Sequence, residues 1–252
     1  MIRTATEKLT RRMCFRRRLP DDLGRNPIWV SPSAGLRFLF GRMKEIDPVL
    51  FNLVREFVHK DNVVWDVGAN VGLFAFSSAY LSGSRGMVVA LEPDAWLVQL
   101  LRRSSLIQSA SCAPVHIIPA AVAQSVDLRT FHIAARSRAT NSLKGYGSTQ
   151  TGGVAEEQIV VTVSLDWLSE RYALPDVLKI DVEGAELEVL KGAEALFERR
   201  RPLLLCEISG ETSSEVTRLL LSKEYRLYDG EISRGERKEL SSAPWTTIAL
   251  PG

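Results

Sequence analysis

Asp66, Glu92, Asp181 and Glu207 each close an apolar run of the kind that forms a strand. In an open sheet, ligands bind beyond the carboxyl ends of the strands, so acids at those ends are placed to do chemistry. Residues 63–76 read VVWDVGANVGLFAF. A strand meets Asp66, and Gly68, Ala69, Asn70 and Gly72 then make the turn into a helical pattern. Glycine permits backbone angles closed to other residues and lets the chain approach a ligand closely. The helix that follows offers free N–H groups and a partial positive charge. Glu92 lies one strand–helix–strand unit further on, where an acid commonly takes a ribose diol in several kinds of nucleotide site. A dinucleotide fingerprint needs glycine where Asn70 stands, so that backbone can touch pyrophosphate. A ring of carboxylates also repels pyrophosphate and suits a cation. S-adenosylmethionine carries a sulfonium, an ammonium and a ribose diol, with one carboxylate for the helix N-terminus. Charge complementarity therefore favours this methyl donor over NAD. Asp66, Gly68, Ala69, Asn70, Gly72, Glu92 and Asp181 are expected to seat it, against the rival readings of an NAD site or a ligand-free tight turn.

The second dense motif is LKIDVEGAELEVLKGAEAL, residues 178–196. Asp181 ends a strand and Gly184 lies in the turn opening a helix whose apolar face includes Ala185, Val189 and Ala193. Glu183 and Glu186 fall at the first turn, where the helix dipole favours carboxylates even without any ligand. Lys179 shares a sheet face with Asp181. A buried Lys needs an anionic partner, and Asp181 or Glu207 is the expected one. Asp181, Glu183 and Glu186 also offer hard oxygens of the type magnesium or calcium takes. A sulfonium already needs part of that charge, so no metal is expected.

Elements must bring these residues together. DPVLFNLVREFVHK reads as a helix with Asp47 as N-cap and Pro48 at its first position. Ahead of it, PIWV and LRFLF read as short strands. From residue 62 onward strands and helices alternate: VVWDV, GLFAFSSAYLSG, GMVVALEP, AWLVQLLRRSSLIQS and VHIIPAAVA, then DVLKIDV, GAELEVLKGAEALFERR, PLLLCEIS and SSEVTRLLLSKE. LRTFHIA and QIVVTVS read as a hairpin around a polar excursion, and LDWLSERY as a short helix that sets Trp167 in the core. Such alternation implies an α/β domain with a mostly parallel sheet covered on both faces. YRLYDG and TTIALP have no helix between them and must pair antiparallel. The expected organisation is a basic, flexible tail at 1–25, an extension at 26–60 packed on the core, and one domain over 61–252. The long Gly-, Ser- and Thr-rich excursion is expected to be an acceptor lid, with Asn141 and Ser142 reaching the acceptor, or else a floppy hairpin tip.

Composition limits the function classes. The 252 residues are 45% hydrophobic and 25% charged, enough for one large domain. No run approaches the roughly 18 apolar residues of a membrane span. The formal charge of +2 belongs to residues 1–25; the rest holds 24 basic against 27 acidic residues. Nucleic-acid enzymes usually carry positive charge on the folded body, so no nucleic-acid partner is expected. Cys14, Cys112 and Cys206 are odd in number and far apart. They suggest neither a disulfide framework nor a zinc site, and a cytoplasmic location follows as the default.

DVGANVG, then LEP, then LKIDVEGAELEVLKGA together resemble the FkbM-type methyltransferases over roughly residues 47–207. The resemblance implies a Rossmann-like class I methyltransferase fold: a mostly parallel seven-stranded sheet, an antiparallel C-terminal strand and a small N-terminal extension. It implies S-adenosylmethionine as cofactor, with Asp66, Gly68, Asn70 and Gly72 in its loop and Glu92 on its ribose. Asp181 and Glu183 belong, by the same likeness, to an acidic signature beside the methyl group. It further implies O-methylation of a sugar, glycan or natural-product hydroxyl. Where many members carry Asn after the EP turn, this chain has LRRSSLIQS. Asp181 is the expected base or acceptor-orienting group, with Glu207 next. The text after that strand is DVEG, unlike the Asn or Asp followed by two prolines of enzymes that methylate base amines. A non-catalytic domain that keeps the nucleoside pocket for regulation or assembly is the alternative.

Overall fold

The computed structural model describes residues 13–147 and 151–252. Strand β1 (Phe15–Arg18) pairs antiparallel with β2 (Pro27–Val30), so the second half of the expected tail lies against the body while residues 1–12 fall outside the described part. Trp29 of β2 lies under the Arg103 guanidinium, 3.4 Å from the ring centroid. Three helices follow: α1 (Arg37–Phe40), α2 (Met43–Ile46) and α3 (Pro48–Phe57). The expected strand LRFLF is therefore corrected to the single helical turn α1. Gly41 N–H closes it on Arg37 O at 3.0 Å, and the turn buries Phe38 while leaving Phe40 outside. Asp47 caps α3 as its sequence position indicates, accepting from Leu50 N–H at 2.9 Å.

The body then runs β3 (Val63–Val67), α4 (Leu73–Ser82), β4 (Met87–Leu91), α5 (Ala95–Ser105), β5 (Val115–Ile118), β6 (Ala121–Val122), β7 (Asp127–Ala134), β8 (Ser142–Leu143) and β9 (Val154–Val163). After these come α6 (Leu165–Ser169), β10 (Val177–Ile180), α7 (Glu186–Lys191), α8 (Glu194–Arg199), β11 (Leu203–Glu207), α9 (Ser213–Ser222), β12 (Tyr225–Asp229) and β13 (Thr246–Pro251). Seven strands form one sheet in the order β12-β13-β11-β10-β3-β4-β5. Its parallel strands read as unbroken apolar runs because helices cover both faces. One apolar layer packs α4 and α5 with the N-terminal elements, and the other packs α6 to α9. β13 runs antiparallel to both β11 and β12, as the missing helix requires. The chain winds outward from β3 through β4 to β5, then returns to place β10 on the other side of β3. Strand order thus reverses between β3 and β10, which sets the ligand crevice above the ends carrying Asp66 and Asp181.

Two runs are divided where one element was expected. VHIIPAAVA splits into β5 of the large sheet and β6 of a separate four-stranded sheet, β6-β9-β7-β8. Pro119 stands at the break and has no N–H to continue a ladder. GAELEVLKGAEALFERR is two helices, α7 and α8, parted at Gly192. A side chain there would come 2.6 Å from Ala123 O, so the chain is held close to the strand layer. The hairpin β7–β9 forms as its alternation indicates. Trp167 is partly buried against the core, with Arg171 over its ring at 4.0 Å.

Candidate active site

The turn after β3 is built by contacts that only its residue types permit. Gly68 has φ +80° and Gly72 φ +89°, while Asn70 takes φ +52°, a conformation that Asn tolerates better than most side chains. A Cβ on Gly68 would lie 1.8 Å from Asp181 O, so glycine is what lets the turn meet the end of β10. Gly68 N–H and Ala69 N–H both donate to Leu91 O, at 3.0 and 2.9 Å, and tie the turn to β4. Gly72 faces Phe76 and Leu101 instead and sets the start of α4 against the core.

Beneath the turn lies a buried ionic chain. Lys179 stands directly opposite Asp66 in the β3–β10 ladder. Its Nζ lies 3.3 Å from Asp66 Oδ1 and 3.2 Å from Asp181 Oδ2, and donates to Gly68 O at 3.3 Å. Asp66 and Asp181 are thus its contact partners; Glu207 acts on it only at longer range. Burial opposes the ammonium charge, but Asp181 and Asp66 outweigh that and raise the Lys179 pKa. Burial pushes the Asp66 carboxyl up, with Lys179 pulling the other way.

Glu92 sits at the far side of the same turn, 5% exposed. Oε2 accepts from Asn70 N–H and Oε1 from Asp94 N–H, each at 2.9 Å. Burial moves its pKa up to about 8. Each carboxylate oxygen has a second lone pair, so the two hydrogen bonds orient Glu92 and still leave it able to accept from a diol. Beside it a cavity of about 560 Å³ is walled by Leu91, Ala120, Phe131 and Leu143, apolar surfaces suited to a flat ring.

The polar excursion is pinned at this cavity. Asn141 Nδ2 donates to Asp94 Oδ2 at 2.8 Å, and its Oδ1 accepts from Ala134 N–H at 2.8 Å. Arg138 pairs with the same Asp94 oxygen. Asp94 also caps α5, with Oδ1 accepting from Trp96 N–H at 2.8 Å. Asn141 therefore lines the cavity with both ends of its amide engaged. Ser142 is buried and its Oγ donates to Tyr146 O at 2.9 Å, which holds the turn of the hairpin.

The remaining acids gather over β10 and β11. Asp181 and Glu183 line the cavity just described and two neighbours of about 920 and 1180 Å³; Glu207 lines both neighbours. Asp181 thus stands at the junction of all three. Glu183, at φ +56°, has its carboxyl pushed up to about 8 by burial and by Asp181 and Glu207. The Asp181 carboxylate, and then burial, raise Glu207 to about 7. Glu186 accepts from Gly184 N–H at 2.6 Å and is also raised by burial. Among the described residues no three of His, Cys, Asp and Glu are grouped so as to hold a metal ion. No described helix is long and apolar enough to cross a membrane, and the three cysteines are free.

The fold therefore brings together Asp66, Gly68, Ala69, Asn70, Glu92, Asp181, Glu183 and Glu207. The sequence reading passed over Asp94 and Arg138, which fix the hairpin, and Arg37, Tyr146 and Trp245, which line the neighbouring cavities. Only Asp94 had a local signal, an acid two residues past Glu92 and just before the helix that begins at Ala95.

The arrangement fits S-adenosylmethionine. Gly68 makes a close cradle, Glu92 has capacity for a diol, the slot beside it is apolar, and the acids lie beyond. The family described as Methyltransferase FkbM domain matches residues 66–227. Hexuronic acid methyltransferase AglP of Haloferax volcanii is 26% identical over 171 residues, 68% of this chain; the chain spans 66% of that relative's length. Among solved structures, a methyltransferase FkbM from Methylobacillus flagellatus is 17% identical, covering 98% of this chain and 57% of its own, with a TM-score of 0.47. Fibrillarin of Aeropyrum pernix, solved with S-adenosyl-L-methionine, is 12% identical over 94% of each chain, with a TM-score of 0.47.

Proposed function

The chain belongs to the FkbM family of S-adenosylmethionine-dependent methyltransferases, and from that premise we propose that it methylates a hydroxyl of a sugar, glycan or natural-product small molecule. The observation that carries this reading is the position of Asp181, at the junction of the ribose-side cavity with the two acid-lined cavities beyond it. The relative named as a hexuronic acid methyltransferase supports a sugar acceptor.

The bound donor supplies an electrophilic methyl group; the chain supplies position and a proton acceptor. The Asn70 and Asp94 N–H groups orient Glu92 for the ribose diol. The ionic chain Asp66–Lys179–Asp181 fixes the Asp181 carboxylate at the end of β10. Asp181 orients the acceptor hydroxyl or takes its proton, and Glu207, raised to about 7, is the second candidate for that proton. Holding the attacking oxygen in line at roughly 3 Å is itself a major source of rate. Glu183 borders the acceptor, and Asn141 acts by holding the hairpin over the site. The described residues carry 28 basic against 29 acidic side chains, without the excess of positive charge that a nucleic-acid acceptor calls for.

Asp181→Asn tests the reading against a domain that only binds the donor. An enzyme keeps donor affinity by calorimetry and loses turnover of labelled methyl. Unchanged turnover would remove Asp181 from the mechanism, and no turnover on any hydroxyl acceptor by the parent chain would favour the binding domain.

A further inference from the structure

We infer that the acceptor enters the cavity between β10, β11 and the Tyr146 turn as an uncharged polyhydroxylated ring stacked on Trp245, and that this cavity excludes rings bearing a carboxylate or phosphate. This rests on the methyltransferase reading and adds the acceptor's charge class to it.

The cavity, of about 1180 Å³, is lined by Asp181, Glu183, Glu186, Glu207 and Glu211, and no described Lys or Arg lines it. Lys179, which lines the adjoining cavity, is buried, bonded to Gly68 O and held between Asp66 and Asp181. Arg37 lines the adjoining cavity instead, with Asp47. An anionic ring would find no cation among the described residues lining the cavity to pair with, whereas carboxyl groups, charged or protonated, exchange hydrogen bonds with ring hydroxyls.

Two further observations point to a ligand here. Glu186 is 2% exposed and lines the cavity, and its Oε2 closes no hydrogen bond of regular geometry, the Ser209 backbone being its neighbour there. A buried polar atom in that condition is costly unless a ligand or water meets it. Trp245 is 57% exposed at the same cavity. It is not loose, because its carbonyl accepts from Ile208 N–H at 2.8 Å as the chain enters β13. A large, exposed indole on a backbone-anchored residue lining a cavity of carboxyl groups is suited to the apolar face of a sugar ring, with the hydroxyl edges turned to the acids.

The test uses the full chain, labelled donor and matched acceptors: neutral hexopyranosides and oligosaccharides, the corresponding uronates, and the uronate methyl esters. The expected result is label on neutral rings and esters, with the free uronates at least about tenfold lower in kcat/KM. Trp245→Ala should raise acceptor KM about tenfold with kcat nearly unchanged, and Trp245→Phe should restore most of it. Uronates labelled as well as their esters would overturn the charge rule. Label on none of the three sets, with donor binding intact, would overturn the sugar-ring acceptor. A Trp245→Ala enzyme with parental KM would overturn the stacking platform. Absence of donor binding would instead strike the methyltransferase reading itself.

Discussion

Replacing Gly68 with Ala isolates the contact on which the donor seat depends. The added Cβ would stand 1.8 Å from Asp181 O, where side-chain carbons essentially never come within 3.0 Å of a neighbour. The turn and the end of β10 must therefore part by the difference, about 1.2 Å. Both partners are backbone, so no rotamer change relieves the clash. Forcing the chain apart costs about 1–3 kcal/mol by analogy with overpacking, and holding alanine at φ +80° costs about 1 kcal/mol more. Urea unfolding should accordingly show a loss of about 2–4 kcal/mol. The displacement also pulls the Gly68 and Ala69 N–H groups from Leu91 O and shifts Asp181 relative to Glu92. A 1 Å misplacement in a reacting site lowers kcat/KM by about a hundredfold. Gly145→Ala is the control, since its φ is +97° but nothing lies within 4 Å of the new atom. It should cost about 1 kcal/mol and leave donor affinity alone. A Gly68→Ala protein as stable as the Gly145→Ala protein, with parental donor affinity, would refute the argument that the turn and β10 are held by close backbone approach.

Lys179→Met should destabilise the fold by about 3–5 kcal/mol, because Asp66 is left buried without its cation. Adding Asp66→Asn should recover most of the loss in urea unfolding; a double variant as unstable as the single one would contradict the pairing. Asn141→Ala should cost about 1–3 kcal/mol and weaken donor binding, by freeing the hairpin from Asp94. Stability should also depend on pH through Glu183 and Glu207. Their folded pKa values, about 8 and about 7, lie above the ordinary 4.5, so the folded chain holds protons that the unfolded chain releases. That contribution is complete below about pH 4.5 and is lost as pH rises through 7 to 8. Tm of the free protein should therefore fall between pH 5.5 and 8.5, and Glu207→Gln should flatten the part near pH 7; a Tm that rises over this window would contradict the crowding of acids.

The acids at strand ends were legible because a parallel sheet writes its strands as apolar runs, and a polar residue at the end of such a run has few places to go. The DVGANVG turn was legible for a similar reason: only glycine and Asn relieve the backbone there. LRFLF was not, since five apolar-rich residues between Gly35 and Gly41 fit one helical turn as well as a strand. The partner of Lys179 depended on register. Asp66 lies over a hundred residues away and becomes its neighbour only when β10 docks beside β3. Asp181, two residues along the same strand face, was visible from spacing alone. Trp245 and Arg138 are single residues in polar stretches, and nothing local tells that the fold brings them to the cavities. The place of Asn141 in the excursion suggests a reach toward the acceptor, but both ends of its amide serve the hairpin through Asp94 and Ala134.

The central claim is that the crevice at the strand ends takes a cationic adenosyl donor. Calorimetric titration of the full chain with S-adenosylmethionine, its demethylated product and NAD addresses it most directly. One site should bind the first two, be weakened by Glu92→Ala, and give no heat with NAD. Binding of NAD in their place, or donor binding indifferent to Glu92, would contradict it.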